Sequence, residues 1–249
     1  MAKIKTYYLN ILESSTVTST PSADSDFPVY RLYDRHIGRS YKAGSVAETT
    51  IHVDQGATTI NEVDTLIIPA NHNLDGLVCT LSYSDNDIDW TQHHQWTQSG
   101  SAIIERSFSA ITHRYLRLVI SGPASVVTMH EMMLTKAYEW DRNPESIGRG
   151  VYPVFNVERR EDTGGRPRYL ELGDSRQARI YALNKIHDSG SKQDNTELQA
   201  LNNAWAGKKP FYMKDHDATL LFGELVEPLE LSVSGDYIDA EFNFLEVIP

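Results

Sequence analysis

The chain has a single cysteine, Cys79, so no intrachain disulfide can form. At 249 residues it can bury a substantial core without one, as one large domain or two of ordinary size. Cys79 lies in GLVCTLSYS, which alternates toward a strand, and it reads as a small buried hydrophobe. No run of about 18 apolar residues occurs, so no membrane-spanning helix is expected. The N-terminal MAKIKTYYLNILESS has too short an apolar stretch and no small-residue cleavage signature, so a soluble product made in the cytoplasm is expected. The chemical fingerprints are missing too. There is no G-x-S-x-G elbow, Walker loop, dinucleotide fingerprint, H-E-x-x-H or Cys/His cluster. Nothing singles out a nucleophile. A non-enzyme without a cofactor is therefore expected, although paired carboxylates in a β protein leave no trace in spacing.

Concentrated positive charge is also lacking. Acidic residues outnumber basic ones by 34 to 23, for a formal charge of −11. Residues 1–140 carry 10 basic and 15 acidic groups, and residues 141–249 carry 13 and 19. Recognition of a nucleic-acid backbone needs clustered Lys and Arg, so neither half reads as a nucleic-acid binder. The basic group in NVERREDTGGRPRY is largely cancelled by its own acidic neighbours.

What is present is β patterning. TYYLNIL begins the chain as a possible short strand, and ESSTVTSTPSADSDFP then reads as a loop or surface arm. The runs SVAETTIHVDQG, EVDTLIIPA, LVCTLSYS, SAIIERSFS, HRYLRLVIS and VVTMHEMMLTKAY are rich in Thr, Val, Ile and aromatics and are separated by turn residues. Short strands at even spacing predict a two-sheet sandwich. In HRYLRLVIS, Leu116 and Leu118 face the core and Arg117 faces solvent. The composition changes at EWDRNPESIGRG. The expected division is thus a strand and arm at 1–27, a sandwich at 28–138, a linker at 139–150 and a second domain at 151–249.

The second domain reads as strands at YPVFNVER, within RYLELGDSRQARIYALNKI, at KPFYMKDH, on both sides of Pro228, and at YIDAEFNFLEVI, which carries order to the C-terminus. One helix interrupts them. Thr196 and Gln199 form a capping-box pattern, Leu198, Leu201 and Trp205 recur at helical spacing, and Gly207 is placed to stop the helix. The helix is expected to cover one face of a sheet.

Three groups carry possible chemistry. The adjacent His93 and His94 point to opposite faces if they lie in a strand, and the other histidines are scattered. Asp85, Asp87 and Asp89 have the spacing that opens a calcium loop, but Trp90 and Trp96 stand where an EF-hand needs Gly and Glu. A looser calcium site and an Asx-type hairpin turn with Trp90 packed back on the sheet both remain open there. Tyr30, Tyr33 and Tyr41 flank Arg31, Arg35 and Arg39, with Trp90 and Trp96 further on. Such residues can bind sugar, form a protein interface or simply pack. Tyr41, Trp90, Trp96 and Arg39 are the candidates for glycan contact.

The run VDTLIIPANHNLDGLVCTLSYSDNDIDWTQ, with HRYLRLVISG after it, resembles the galactose-binding-like, discoidin-type jelly roll found on tail proteins of long-tailed bacteriophages. The likeness covers roughly residues 28–137. It implies that Asn71, His72, Asn73 and Leu74 form an architectural turn, with Leu74 plugging the core and His72 bonding locally. The segments RYLELGDSRQARIYALNKI, Thr196–Ala206 and GDYIDAEFNFLEVI are similar in element order to the tail-tube and distal-tail belt fold, an antiparallel sandwich flanked by one helix. Here the two domains stand in the reverse of the usual distal-tail order. The implied function is a structural component of a phage tail or tail tip, a virion protein assembling as a homo-oligomeric ring, hexameric by resemblance. Its partners would be tail-tube and tail-tip proteins. The alternative is a carbohydrate-binding module that attaches a particle to a cell-surface glycan.

Overall fold

The computed structural model describes residues 3–140, 150–154, 157–161, 167–171, 176–186, 194–206, 209–215, 217–234 and 237–247. Residues 9–137 form one compact unit, and the described parts of 3–8 and 138–247 form another. The chain therefore divides elsewhere than the sequence suggests. The first strand, β1 (Lys5–Tyr7), belongs to the second unit, while the rest of the expected arm joins the sandwich. The change of unit falls at residue 138, and 141–149 of the expected linker lie outside the described residues.

The unit 9–137 contains β2 (Thr16–Thr20), β3 (Tyr41–Lys42), β4 (Thr49–Asp54), β5 (Val63–Ile68), β6 (Val78–Ser84), β7 (Thr91–Thr97), β8 (Ile104–Ile111), β9 (Tyr115–Ser121), β10 (Thr128–Met129) and β11 (Met133–Thr135). They make a five-stranded sheet in the order β2-β4-β9-β6-β7, a three-stranded sheet β11-β5-β8 and a short β10-β3 pair, all antiparallel. This is an antiparallel two-sheet β-sandwich, as expected. Strand alternation builds it. Ile51 and Val53 on β4, Cys79 and Leu81 on β6, and Leu116, Leu118 and Ile120 on β9 are buried on the inner face. They pack with Val63, Leu66 and Ile68 of β5 in one cluster. Each such side chain contributes roughly 1.5–3 kcal/mol when fully buried. Arg117 is on the opposite face, as its place in the alternation requires.

Besides the two-residue β3, two strands were not expected. The stretch read as a loop contains β2, where Thr16, Thr18 and Thr20 are exposed and Val17 is buried. Its register runs from Thr16 opposite Asp54 to Thr20 opposite Thr50. The other is β7, TQHHQWT, a polar strand at the sheet edge. A register shift against β6 leaves His93 as the extra residue between Gln92 and His94. This bulge overturns the expectation of opposite faces, because both histidine rings lie near Phe108, at 5.5 and 6.3 Å between centroids.

The second unit adds β12 (Tyr138–Glu139), β13 (Gly150–Val154), β14 (Val157–Glu161), β15 (Pro167–Glu171), β16 (Arg176–Ile186), α1 (Asp194–Ala206), β17 (Phe211–Lys214), β18 (Leu220–Leu225), β19 (Glu230–Ser234) and β20 (Tyr237–Glu246). Its main sheet has eight strands in the order β12-β1-β17-β18-β20-β16-β13, with β19 also paired to β20. β14 and β15 form a separate hairpin, so the strand expected over YPVFNVER is divided between two sheets. As expected, Pro228 falls in the break between β18 and β19. Leu198 and Leu201 of α1 pack with Tyr181, Phe211, Met213 and Phe244 on one face of the sheet. The helix begins at Asp194, so Thr196 lies inside it and is not its cap. Gly207 lies outside the described residues. Where β18 meets β20, Gly223 leaves room that a side chain would not, since a Cβ there would run into the Leu245 carbonyl and the Phe244 ring.

Candidate functional site

At one loop end of the sandwich, three connections enclose a pocket of about 330 Å³. Ile37 and Gly38 come from the segment before β3, Pro69, Ala70 and Asn71 from the β5–β6 connection, and His130 from between β10 and β11. This volume lies in the range that takes small ligands. The wall is apolar at Ile37, Pro69 and Ala70 and polar at Asn71 and His130. The His130 Nδ1 is buried and has no hydrogen-bond partner.

The β5–β6 connection is held rigidly under the pocket. Asn71 takes the left-handed conformation, φ 69°, which its short polar side chain tolerates, and its N–H donates to the Ser101 carbonyl at 2.9 Å. The His72 Nδ1 accepts from the Leu74 N–H at 3.3 Å, so Nε2 carries the proton and donates it to the Ala102 carbonyl at 2.9 Å. Burial pushes the His72 pKa down, which keeps the ring neutral. Asn73 reaches across the end of the sandwich. Its amide donates to the Val126 carbonyl at 2.7 Å and its Oδ1 accepts from the Thr128 N–H at 2.7 Å. Leu74 is fully buried in the core. The four turn residues thus shape and fasten the loop, and Asn71 alone among them lines the pocket.

A second buried group lies beside the pocket. Glu131 follows His130 and is almost fully buried. Its pKa is raised to about 9, first by burial and then by the nearby Asp34 and Glu13, with Arg35 opposing. Its carboxyl therefore holds a proton at neutral pH. Arg35, in the left-handed conformation at φ 61°, pairs with Glu13. Arg39, next to pocket-lining Gly38, is exposed, with Nη1 3.7 Å from Asp34 Oδ2. The lining residues include no carboxylate. The pocket can exchange hydrogen bonds and pack an apolar ring face, but it offers no acid–base pair.

The remaining candidates are placed elsewhere. Tyr41 is fully buried in the core, its hydroxyl pKa raised mainly by burial, so it cannot stack on a ligand. That corrects the expectation for this residue. Trp90 lies on the outer face of the five-stranded sheet, under the Arg117 guanidinium at 4.2 Å and edge-on to His52 at 5.7 Å. Trp96 is opposite buried Cys79 on β7, near His94 and Arg106. The two tryptophans do not share a site.

The three aspartates turn to different partners. Asp85 bonds His113 at 2.8 Å, Asp87 bonds His52 at 2.7 Å, and Asp89 accepts from the Asn86 amide at 2.8 Å. Asn86 Oδ1 accepts from the N–H groups of Ile88 and Asp89, and Ser84 Oγ from those of Asn86 and Asp87. This is the network of an Asx-type turn. Among the described residues no group of three or more His, Cys, Asp or Glu side chains is arranged to hold a metal ion.

Sequence reasoning missed His130, Ile37 and Pro69. No local pattern could have found them, because three loops distant in sequence form the cavity. In the second unit, Asp215 is buried, bonded to Arg179 at 3.0 Å and to the Tyr181 hydroxyl at 3.2 Å. These partners explain it as a structural group.

No family model and no curated protein matches the chain. Solved structures do. Chitosan-binding module 1 of a chitosanase/glucanase from Paenibacillus sp. IK-5 is 18% identical, with 51% of this chain and 98% of that one covered and a TM-score of 0.43. CpGH89CBM32-5 from Clostridium perfringens, in complex with GalNAc-beta-1,3-galactose, is 12% identical over 50% of this chain and 96% of that one, TM-score 0.43. The CBM32 of AlyQ, in complex with 4,5-unsaturated mannuronic acid, is 21% identical over 48% and 92%, TM-score 0.40. All three are carbohydrate-binding modules by name, and none is a tail protein.

Proposed function

We propose that residues 9–137 are a non-catalytic glycan-binding module that seats a sugar unit in the pocket between Asn71 and His130. The observation that carries this reading is a pocket of about 330 Å³ that sets an apolar wall, Ile37, Pro69 and Ala70, beside the polar Asn71 and His130. A pyranose presents the same pairing of surfaces, a C–H face and a rim of hydroxyls. Arg39 and Asn71 at the mouth would set which hydroxyls are accepted. Calorimetry of the intact chain against a panel of neutral and acidic oligosaccharides tests it. Saturable binding that is lost in His130→Ala and Asn71→Ala is the expected result. Absence of binding to the whole panel would overturn it.

A second reading concerns the other unit. β13 ends the order of the eight-stranded sheet, and among the described residues β19 pairs on one side alone. Unpaired edges are sites for strand addition between subunits, and one repeated heterologous contact closes a ring. This supports a structural component of a phage tail, with the glycan module borne on the assembly and the protein located in the virion. Electron microscopy at high protein concentration tests it. Rings are expected, and monomers alone would contradict this part while leaving the glycan reading untouched.

A further inference from the structure

Beside the pocket, the sandwich buries a carboxyl group that its own structure does not neutralise. Glu131 is 1% exposed, and neither of its oxygens has a hydrogen-bond partner. The charged groups that act on it come from two other segments. Arg35 and Asp34 follow the short 3₁₀ helix Val29–Leu32, and Glu13 lies in the 3₁₀ helix Ile11–Ser14. Its own segment contributes His130, the residue before it. The Arg35 side chain is 8% exposed and is paired with Glu13, while Asp34 Oδ2 lies 3.7 Å from Arg39 Nη1. Glu131 thus meets two other carboxylates and a largely buried guanidinium that is already engaged.

Two walls of the pocket are joined to this cluster. Glu131 adjoins His130 on one side, and Arg35 stands two residues before Ile37 and three before Gly38 on the other. The Glu131 side is fixed. The Met132 N–H donates to the Leu32 carbonyl at 2.7 Å, its carbonyl accepts from the Asn10 amide at 3.0 Å, and the Leu134 N–H donates to Asn10 Oδ1 at 3.2 Å. The Arg35 side is a local turn, in which the His36 N–H donates to Asp34 Oδ1 and the Arg39 N–H to the His36 carbonyl, both at 2.9 Å. Arg35 itself holds a positive φ of 61°, which few residues with a Cβ adopt. A buried carboxylate without a counter-charge is costly, so ionisation of Glu131 demands a cation. Arg35 is the cation whose field already acts on it.

We propose that Glu131 is a pH-operated latch on the pocket: protonated, it leaves Arg35 with Glu13 and the pocket open, and ionised, it draws Arg35 away from Glu13, so that the turn carries Ile37 and Gly38 towards His130. The movement stands on this cluster alone, and its consequence for sugar binding rests on the glycan reading of the pocket. Burial, opposed by Arg35 and reinforced by Asp34 and Glu13, raises the Glu131 pKa to about 9, so the open form prevails at neutral pH and the latch closes in alkali. A ligand that fits the open form selects protonated Glu131, and its affinity falls as the proton leaves.

Methyl NMR of the full chain, titrated without ligand from mildly acidic to alkaline pH, tests the latch. The Ile37 methyl resonances are expected to shift with a midpoint of about 9, while those of Ile51, in the opposite sheet, stay in place. Glu131→Gln removes the ionisable group and should abolish the Ile37 shift. Glu13→Gln releases Arg35 and removes a like charge, so it should bring the midpoint down, and it decides the matter if Glu131→Gln does not fold. A static Ile37, equal shifts at Ile37 and Ile51, or an unaltered titration in either folded variant overturns the inference. Calorimetry with the tightest-binding oligosaccharide of the neutral-pH panel reads the consequence. One pH unit above the midpoint the parent should bind about tenfold more weakly, and Glu131→Gln should show no such loss. Binding that is independent of pH overturns the inference and leaves the pocket reading standing. An Ile37 shift that obeys both variants, with no binding to any member of the panel, sustains the latch and sinks the pocket reading.

Discussion

The two ends of the sandwich make opposite use of polar residues. The hairpin from Ser84 to Trp90 is dense in aspartate and asparagine, yet its carboxylates and the Asn86 and Ser84 oxygens are taken up by His52, His113 and backbone N–H groups of the turn. The loop end at Asn71 and His130 is poorer in such residues and leaves a buried ring nitrogen without a partner. The more conspicuous sequence is self-satisfied architecture, and the less conspicuous one lines a cavity. A concave surface that mixes apolar and polar lining locates a candidate site better than the density of polar residues does.

The comparison can be broken at several points. The largest effect is expected beneath the loop end, where Leu74→Ala should cost about 2–5 kcal/mol in urea unfolding and dismantle the pocket with the turn. Glu131 comes next. Its folded pKa is raised from 4.5 to about 9, so between these values the folded protein holds a proton that the unfolded chain releases. Stability from this group is therefore fully present in acid and is lost as pH rises toward about 9, with a slope of at most about 1.4 kcal/mol per pH unit. Thermal melts from mildly acidic to alkaline pH should show this decline in the parent and flatten it in Glu131→Gln. An equal decline in both would show that another group is responsible. His72 has the opposite sign. Its pKa is depressed, so its contribution is present above the ordinary histidine range and lost as pH falls through it.

At the hairpin, Asn86→Ala removes a capping side chain and should cost about 1 kcal/mol without changing sugar affinity. The smallest effect is expected for Asp87→Asn, which alters a partly exposed pair with His52 and should move stability by no more than about 0.5 kcal/mol. If either hairpin variant abolished glycan binding while the fold remained intact, the contrast between the two ends would be reversed.

Much of this architecture was legible in the sequence wherever burial imposes alternation. Leu116 and Leu118 point inward with Arg117 outward, and Pro228 separates two strands, because a two-residue period and a missing N–H leave little choice. The positive φ of Asn71 and the burial of Leu74 also follow from residue type within a turn. Polar edge strands were not legible. β2 and β7 contain mostly Thr, Ser, Gln and His, so their identity comes from the neighbouring strand and not from their own hydrophobicity. Tyr41 was misjudged because an arginine-rich neighbourhood suggested a surface, whereas β3 carries its ring into the core. The pocket was invisible for the simplest reason. Gly38, Asn71 and His130 come from three separate loops, and their meeting depends on how the strands between them are paired.

The most direct measurement is a backbone NMR titration of the full chain with the oligosaccharide that binds best in calorimetry. The account predicts shifts centred on Ile37, Gly38, Asn71 and His130, with the amides of Asn86 to Trp90 unmoved. Shifts centred on His52 and Trp90 with a silent pocket would contradict it.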